Sequence, residues 1–345
     1  MTVPSAGRLP VVVLTGFLGS GKTSLLRRLL QAPELADAAV LINEFGEVGL
    51  DHWLLERLDG DTVLLPSGCV CCTIRSDLRD ALLDLHERRA RGLLPPFRRI
   101  VIETTGLADP APIAQTIHAD PRLRYHLALG NIVTVVDAVN GADTLDRFEA
   151  AVHQAAVADR LVLSKTDLAD ASTVAALERR LAVLNPTASR LRLAPAAAVP
   201  ASLLTEDLLD PDGRAAHVAR WLDAGDGHDH DHNAGVRSLA LVREAPLDWA
   251  RFAVWFSMLL NRHGRNLLRA KGILHVDGVP TPVVVHGVQH VLHPPSHLAA
   301  WPGDRPVTRL VLIGRDLDPA LLRRSFEAFM GAVPVPASTG AVLPA

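Results

Sequence analysis

The sequence predicts an α/β protein: a mostly parallel sheet covered by helices, followed by a smaller α+β domain. Three observations predict it. From Pro10 to Asp167, short runs rich in Val, Ile and Leu alternate with longer stretches of helical spacing. The runs are continuously apolar and do not alternate with polar residues, as expected of strands covered on both faces. A glycine-rich segment, Gly16 to Thr23, sits between the first run and the first helical stretch, where a strand must turn sharply into a helix.

The predicted strands are Val11 to Leu14, Ala39 to Ile42, Thr62 to Leu65, Ile100 to Ile102, Ile132 to Val136 and Leu161 to Leu163, a minimum of six. Helices are expected at Thr23 to Gln31, Ser76 to Arg91, Leu145 to Ala158 and Thr173 to Leu184. In the second helix Leu78, Leu82, Leu83 and Leu85 recur at helical spacing among charged residues, a stripe suited to packing on the sheet. After Leu193 the periodicity lapses into APAAAVPA and then GDGHDHDHNAG. Beyond it the reading gives strands at Leu239 to Arg243, Ile273 to Val276, Val283 to His286 and Thr308 to Ile313. Helices lie at Asp248 to His263 and Pro319 to Met330. The expected organisation is a parallel-sheet domain over 1–195, a His/Asp-rich linker over 196–235, an α+β domain over 236–331 and a mobile tail over 332–345.

Two domains suit a chain of 345 residues at roughly 150 residues each. With 21% charged and 48% hydrophobic residues the chain is not a disordered polyelectrolyte. A net charge of -3 excludes a strongly basic nucleic-acid surface. No apolar run approaches the ~20 residues that cross a bilayer, so the expectation is a cytoplasmic protein without nucleic-acid or membrane partners. The three cysteines, Cys69, Cys71 and Cys72, fall within four residues, too close for a spaced disulfide framework.

Gly16-Phe17-Leu18-Gly19-Ser20-Gly21-Lys22-Thr23 fits the phosphate-loop pattern G-x-x-x-x-G-K-[ST], and Ser24 continues it into the helix. Glycines let successive N–H groups point at phosphate oxygens, and the helix adds its positive end. Lys22 is expected on the β- and γ-phosphates and the Thr23 hydroxyl on magnesium. Glu103 ends the Ile100-Val101-Ile102 run, where a carboxylate can hold magnesium or orient water, and Gly106 can offer its N–H to the γ-phosphate. After Leu161 to Leu163 come Ser164-Lys165-Thr166-Asp167, similar to the guanine-reading motif of GTPases. There the Asp accepts from guanine N1–H and the 2-amino group while the Lys stem lies along the purine.

Cys69 and Cys71, two apart, can face one way in an extended segment, and Cys72 joins them if the chain turns. Three thiolates suit zinc, with copper(I) or cobalt(II) as chemical alternatives, and leave a fourth position open for exchange. His228, His230 and His232 alternate with Asp229 and Asp231, a flexible segment able to collect a divalent ion loosely.

Taken together, GFLGSGKTSLL, INEFGEVGLDH, SGCVCCTIRSDL, VIETTGLADPAPI, VVDAV, VLSKTDL, LLRAKGIL, HGVQH and LIGRDLD resemble the CobW-like GTPases, a family of metal-handling proteins. The resemblance runs from about Pro10 to Met330. It departs at Ser164, where the family usually has Asn, and at His286, where Gln is expected. It implies that Gly19 to Ser24 cradle phosphates, that Asn43 to His52 is a switch segment with catalytic Asp51 near the γ-phosphate, and that Cys69, Cys71 and Cys72 bind metal with Glu44 as a fourth ligand. The implied cofactors are GTP or GDP, Mg2+ and Zn2+ or Co2+. The implied activity is GTP hydrolysis that drives metal delivery to a client metalloprotein; no arginine has a motif position that marks it as a finger in cis, so slow hydrolysis is expected, with a partner or a homodimer completing the site. Cobalt delivery for cobalamin synthesis or nitrile hydratase maturation, a GTP-binding metal sensor or buffer, and a small-molecule kinase are the alternatives.

Overall fold

A computed structural model of the chain describes residues 8–42, 63–64, 75–194, 198–205, 230–231, 235–303 and 305–331. The first part follows the order β1 (Leu9–Gly16), α1 (Lys22–Leu29), β2 (Ala38–Ile42), β3 (Val63–Leu64), α2 (Arg75–Ala90), β4 (Arg99–Glu103), α3 (Ala111–Ala119), α4 (Pro121–His126), β5 (Leu127–Asp137), α5 (Gly141–Arg147), α6 (Glu149–Val157), β6 (Arg160–Ser164), α7 (Ala171–Leu184) and β7 (Ser189–Arg192). The seven strands form one sheet in the order β3-β2-β4-β1-β5-β6-β7, and every pairing is parallel. The strand order reverses at β1, whose neighbours β4 and β5 carry the chain to opposite sides. That opens a crevice at the carboxyl ends of the strands. Leu14 pairs with Glu103 and Asp137 with Ser164, so the ends of β1, β4, β5 and β6 finish at one edge.

Strand β1 explains why the apolar runs are continuous. Val11 and Val13 enter the core beneath α2, α3, α6 and α7, while Val12 and Leu14 pack with Leu25, Leu26 and Leu29 of α1 on the other face. All four β1 residues are fully buried. The helix expected over 145–158 divides into α5 and α6, because Phe148 leaves helical geometry (φ -125°, ψ 111°). Its ring packs on Phe17 of the glycine-rich loop at 4.6 Å between centroids.

A linking helix α8 (Ser202–Thr205) packs on the first sheet through Leu203 and Leu204, and the second part comprises β8 (His230–Asp231), β9 (Val236–Arg243), α9 (Trp249–His263), β10 (Leu267–Leu274), β11 (Val283–Val288), β12 (Val291–Leu292), β13 (Ser296–His297), β14 (Thr308–Arg315) and α10 (Pro319–Gly331). Its antiparallel sheet runs β12-β11-β10-β14-β9-β8, with β13 beside β11. Helices α9 and α10 cover one face through Phe252, Trp255, Phe256, Leu322 and Phe326, packed on Leu239, Leu241, Leu310 and Leu312. The other face, with Leu268, Ile273, Val284, Val311 and Ile313, joins the core of the first part.

The strand expected at Ile273 to Val276 therefore starts six residues earlier than its sequence suggests. Arg269 and Lys271 interrupt the apolar run, yet both are buried, and both bind the carboxylate of Asp159 across the junction, Lys271 at 2.7 Å. Among the described residues, no helix is long and apolar enough to cross a membrane.

Candidate nucleotide-binding site

The loop from Gly16 to Gly21 needs backbone shapes that favour glycine: φ is +144° at Gly16, +70° at Gly19 and +93° at Gly21. At Gly16 a Cβ would stand 2.3 Å from the Val135 carbonyl, so the loop leaves the sheet only because that atom is absent. Gly21 is the N-cap of α1, which directs the first N–H groups of the helix at the loop's concave side. Ser20 is buried and its hydroxyl has no hydrogen-bond partner among the described residues. Ser24 is exposed on the first turn of the helix.

Lys22 lies across this loop, and its Nζ donates to the carbonyls of Gly16 at 2.8 Å and Phe17 at 3.1 Å. Burial pushes its pKa down and the Glu103 carboxylate pulls it back up, so the ammonium is held where charge is expensive unless an anion approaches. Thr23 Oγ1 donates to Glu103 Oε1 at 2.6 Å. Two hard oxygen donors beside a buried lysine are a chemically suitable place for magnesium next to phosphate.

The segment after Glu103 is tied to the loop at several points. Thr104 donates its N–H to the Leu14 carbonyl and its hydroxyl to Thr15 Oγ1 at 2.7 Å. A Cβ on Gly106 would come within 2.6 Å of the Leu18 nitrogen, so here one backbone lies directly on another. Gln154 of α6 supports this turn from behind, its Nε2 donating to the carbonyls of Gly106 and Ala108. Sequence reading did not find Gln154, since a lone glutamine in an apolar helix carries no local signal. Asp109 does not act on the site directly. Its Oδ1 accepts from the Ala111 N–H at the start of α3.

The segment Ser164 to Asp167 joins the loop from the other side. Ser164 Oγ donates to the Ser20 carbonyl at 2.6 Å, and Lys165 takes a left-handed conformation, φ +54°. Lys165 Nζ donates to Asp137 Oδ2 at 2.8 Å, and Asp167 stands exposed two residues on. Burial raises the Asp137 pKa, but hydrogen bonds from Lys165, Asn140 and the Val139 N–H outweigh it and hold the carboxyl below its usual range. Asp137 was absent from the sequence-derived site, although its place at the end of VVD, level with the end of VLS, was the available signal.

The residues brought together at one sheet edge are therefore Gly16 to Ser24, Glu103, Gly106, Ser164, Lys165 and Asp167. Asp51, Glu44, Cys69, Cys71, Cys72, His228 and His232 lie outside the described residues. His230 is described only through its backbone pairing with Ser238. Among the described residues, no group of three or more His, Cys, Asp or Glu is arranged to hold a metal ion.

Comparison with known proteins places this geometry among relatives. The family described as CobW/HypB/UreG, nucleotide-binding domain, matches residues 10–192, and the cobalamin synthesis protein cobW C-terminal domain matches residues 236–330. The zinc chaperone YjiA of Escherichia coli is 32% identical over 323 residues, covering 92% of this chain and 98% of its own. The zinc chaperone CobW of a Sinorhizobium species is 30% identical over 359 residues, covering 94% and 98%. The crystal structure of the Zn(II)-bound YjiA GTPase from E. coli superposes with a TM-score of 0.70 at 30% identity, covering 93% of this chain and 99% of that one.

Proposed function

Since this chain belongs to the CobW/HypB/UreG family, we propose that it is a GTP-hydrolysing metallochaperone that binds zinc at Cys69, Cys71 and Cys72 and delivers it to a client protein. The observation that carries the nucleotide half is the Ser164 hydroxyl on the Ser20 carbonyl. It links a base-reading segment directly to a phosphate loop, so one ligand with a base at one end and phosphates at the other spans both. Guanine is favoured because Asp167 can accept its two adjacent donors, which adenine does not offer. The metal half rests on the three crowded cysteines, whose thiolates suit zinc, and on relatives named as zinc chaperones.

The chemistry follows from the residues. The loop N–H groups, the end of α1 and Lys22 stabilise charge that develops on the phosphate oxygens, in a setting where no reorganisation is needed. Thr23 and Glu103 would hold magnesium, which supplies charge neutralisation at the β- and γ-phosphates. Gly106, lying against Leu18, would offer its N–H to the γ-phosphate. A segment braced by Leu14, Thr15 and Gln154 can register whether that phosphate is present.

Asp51 and Glu44 belong to this reading as a catalytic residue and a fourth zinc ligand in the switch segment. The His228, His230 and His232 stretch serves as a loose collector. A hundredfold change in zinc affinity between nucleotide states requires about 2.8 kcal/mol of differential contact, and zinc must then change nucleotide affinity by the same factor.

The test is metal analysis of the purified protein beside a Cys69→Ser/Cys71→Ser/Cys72→Ser variant, each with GTP hydrolysis assayed. One zinc per chain, lost in the variant, is expected. Full zinc retention by the variant would remove the assignment of the cysteines. Absence of GTP hydrolysis by the unaltered protein, with and without zinc, would remove the GTPase assignment.

A further inference from the structure

We propose that Asp137 is a positioning residue for guanine recognition: it anchors Lys165, and so sets the rail along which the purine lies. The inference deepens the GTP reading above and rests on it.

Lys165 has a non-glycine side chain at φ +54°, a backbone shape that L-residues seldom take without a compensating contact. The Leu168 N–H to the Lys165 carbonyl, 3.1 Å, closes the turn behind it but does not fix where the side chain goes. The side chain is fixed by Asp137, whose Oδ2 accepts from Nζ at 2.8 Å. With the Cα held by the turn and the ammonium held by the carboxylate, the four-carbon stem is stretched between two anchors.

The carboxylate is itself held. Its Oδ1 accepts from the Val139 N–H at 2.8 Å, its Oδ2 also accepts from Asn140 Nδ2 at 3.0 Å, and its side chain is only 11% exposed. The backbones on either side are joined as well, since the Ala138 N–H donates to the Ser164 carbonyl and Asp137 pairs with Ser164 across β5 and β6. Asp137 is thus a rigid post planted in β5, and Lys165 is the flexible residue it steadies. A lysine freed from that post regains its rotamer freedom and must be ordered anew by each nucleotide that binds.

A contact to the base does not distinguish phosphate number, which separates this role from one at the phosphates, and non-additivity with Lys165→Met separates it from a general effect on the fold. The experiment measures dissociation constants for GDP and a non-hydrolysable GTP analogue, with magnesium, for the unaltered chain, Asp137→Asn, Lys165→Met and the double variant. Asp137→Asn keeps the size of the side chain and an acceptor for the Val139 N–H. It should weaken both nucleotides about tenfold, the scale of one charge-assisted hydrogen bond, and leave their ratio unchanged. Lys165→Met keeps most of the stem and should show the same loss. Since Asp137 acts through Lys165, the double variant should be no weaker than Lys165→Met alone.

Additive losses, or a loss confined to the GTP analogue, would overturn the proposal. If Asp137→Asn does not fold, undiminished affinity in Lys165→Met overturns it by itself, and the expected equal loss supports it. Failure of the unaltered protein to bind either guanine nucleotide would be a different result, since it would remove the GTP reading on which the proposal stands.

Discussion

Gly106 shows how much of the site depends on single atoms. A methyl group there would meet the Leu18 backbone at 2.6 to 2.7 Å, and backbone atoms cannot swing aside as a side chain tip can. Gly106→Ala should therefore push the segment after Glu103 away from the phosphate loop. The expected outcome is a loss of GTP hydrolysis of about a hundredfold, the scale of one misplaced transition-state donor, with far-ultraviolet circular dichroism unchanged. Lys22→Ala should abolish turnover, because its ammonium is the one described cation lying across the phosphate loop; measurable steady-state hydrolysis at the unaltered rate would contradict its role. Much of this was legible in the sequence, since G-x-x-x-x-G-K-T and its strand-and-helix context define a backbone shape as well as a residue set. Gln154 was not legible, and Asp137 showed only as the polar end of the VVD run, because their meaning comes from what β5 and α6 bring beside them.

At the level of elements, the apolar runs gave the strands of the parallel sheet, and the departures have local causes. Strand β7, Ser-Arg-Leu-Arg at the sheet edge, carries too little apolar character to be seen as a run. Strand β10 hides behind Arg269 and Lys271, charges that are buried against a carboxylate from another part of the chain. The division between α5 and α6 falls at Phe148, whose ring meets Phe17, a contact between residues far apart in sequence. Helix α10 was read within one residue of its observed end, and its core contact is Phe326, edge-on to Trp255 at 5.0 Å. Phe326→Ala should cost about 3–5 kcal/mol of stability in urea unfolding, the usual range for a fully buried phenylalanine.

Across the whole molecule, the two sheets meet around Asp159, with Arg269 and Lys271 on one side and Ile132 of β5 and the start of β6 on the other. Asp159 also accepts from the Ile132 N–H, so a single carboxylate ties the second sheet to the floor of the first. Gln289, at φ +51°, reaches across to Gln115 and Asp109, and Arg315 reaches to Glu149 and His153.

Two pH effects follow. His286 is buried with neither ring nitrogen hydrogen-bonded among the described residues, and burial, then the Lys271 and Arg269 charges, hold its pKa well below 6.5. His293 is pushed down to about 4, chiefly by burial. Both take up protons on unfolding when the pH falls below about 6.5, so stability should decline from there toward pH 4, and His286→Gln should flatten that decline in urea titrations. Lys271 is lowered by burial to about 8 against 10.5 when unfolded. Unfolding therefore takes up a proton between these values, and stability should rise with pH across that window, a rise that Lys271→Met should remove.

The most direct test is zinc affinity measured by competition with a chromogenic chelator, once with GDP and once with a non-hydrolysable GTP analogue. Nucleotide-gated delivery predicts dissociation constants that differ by about tenfold or more, a coupling of roughly 1.4 kcal/mol, with the same factor appearing in nucleotide affinity when zinc is added. Equal zinc affinity in both nucleotide states, at full occupancy of each, would contradict it.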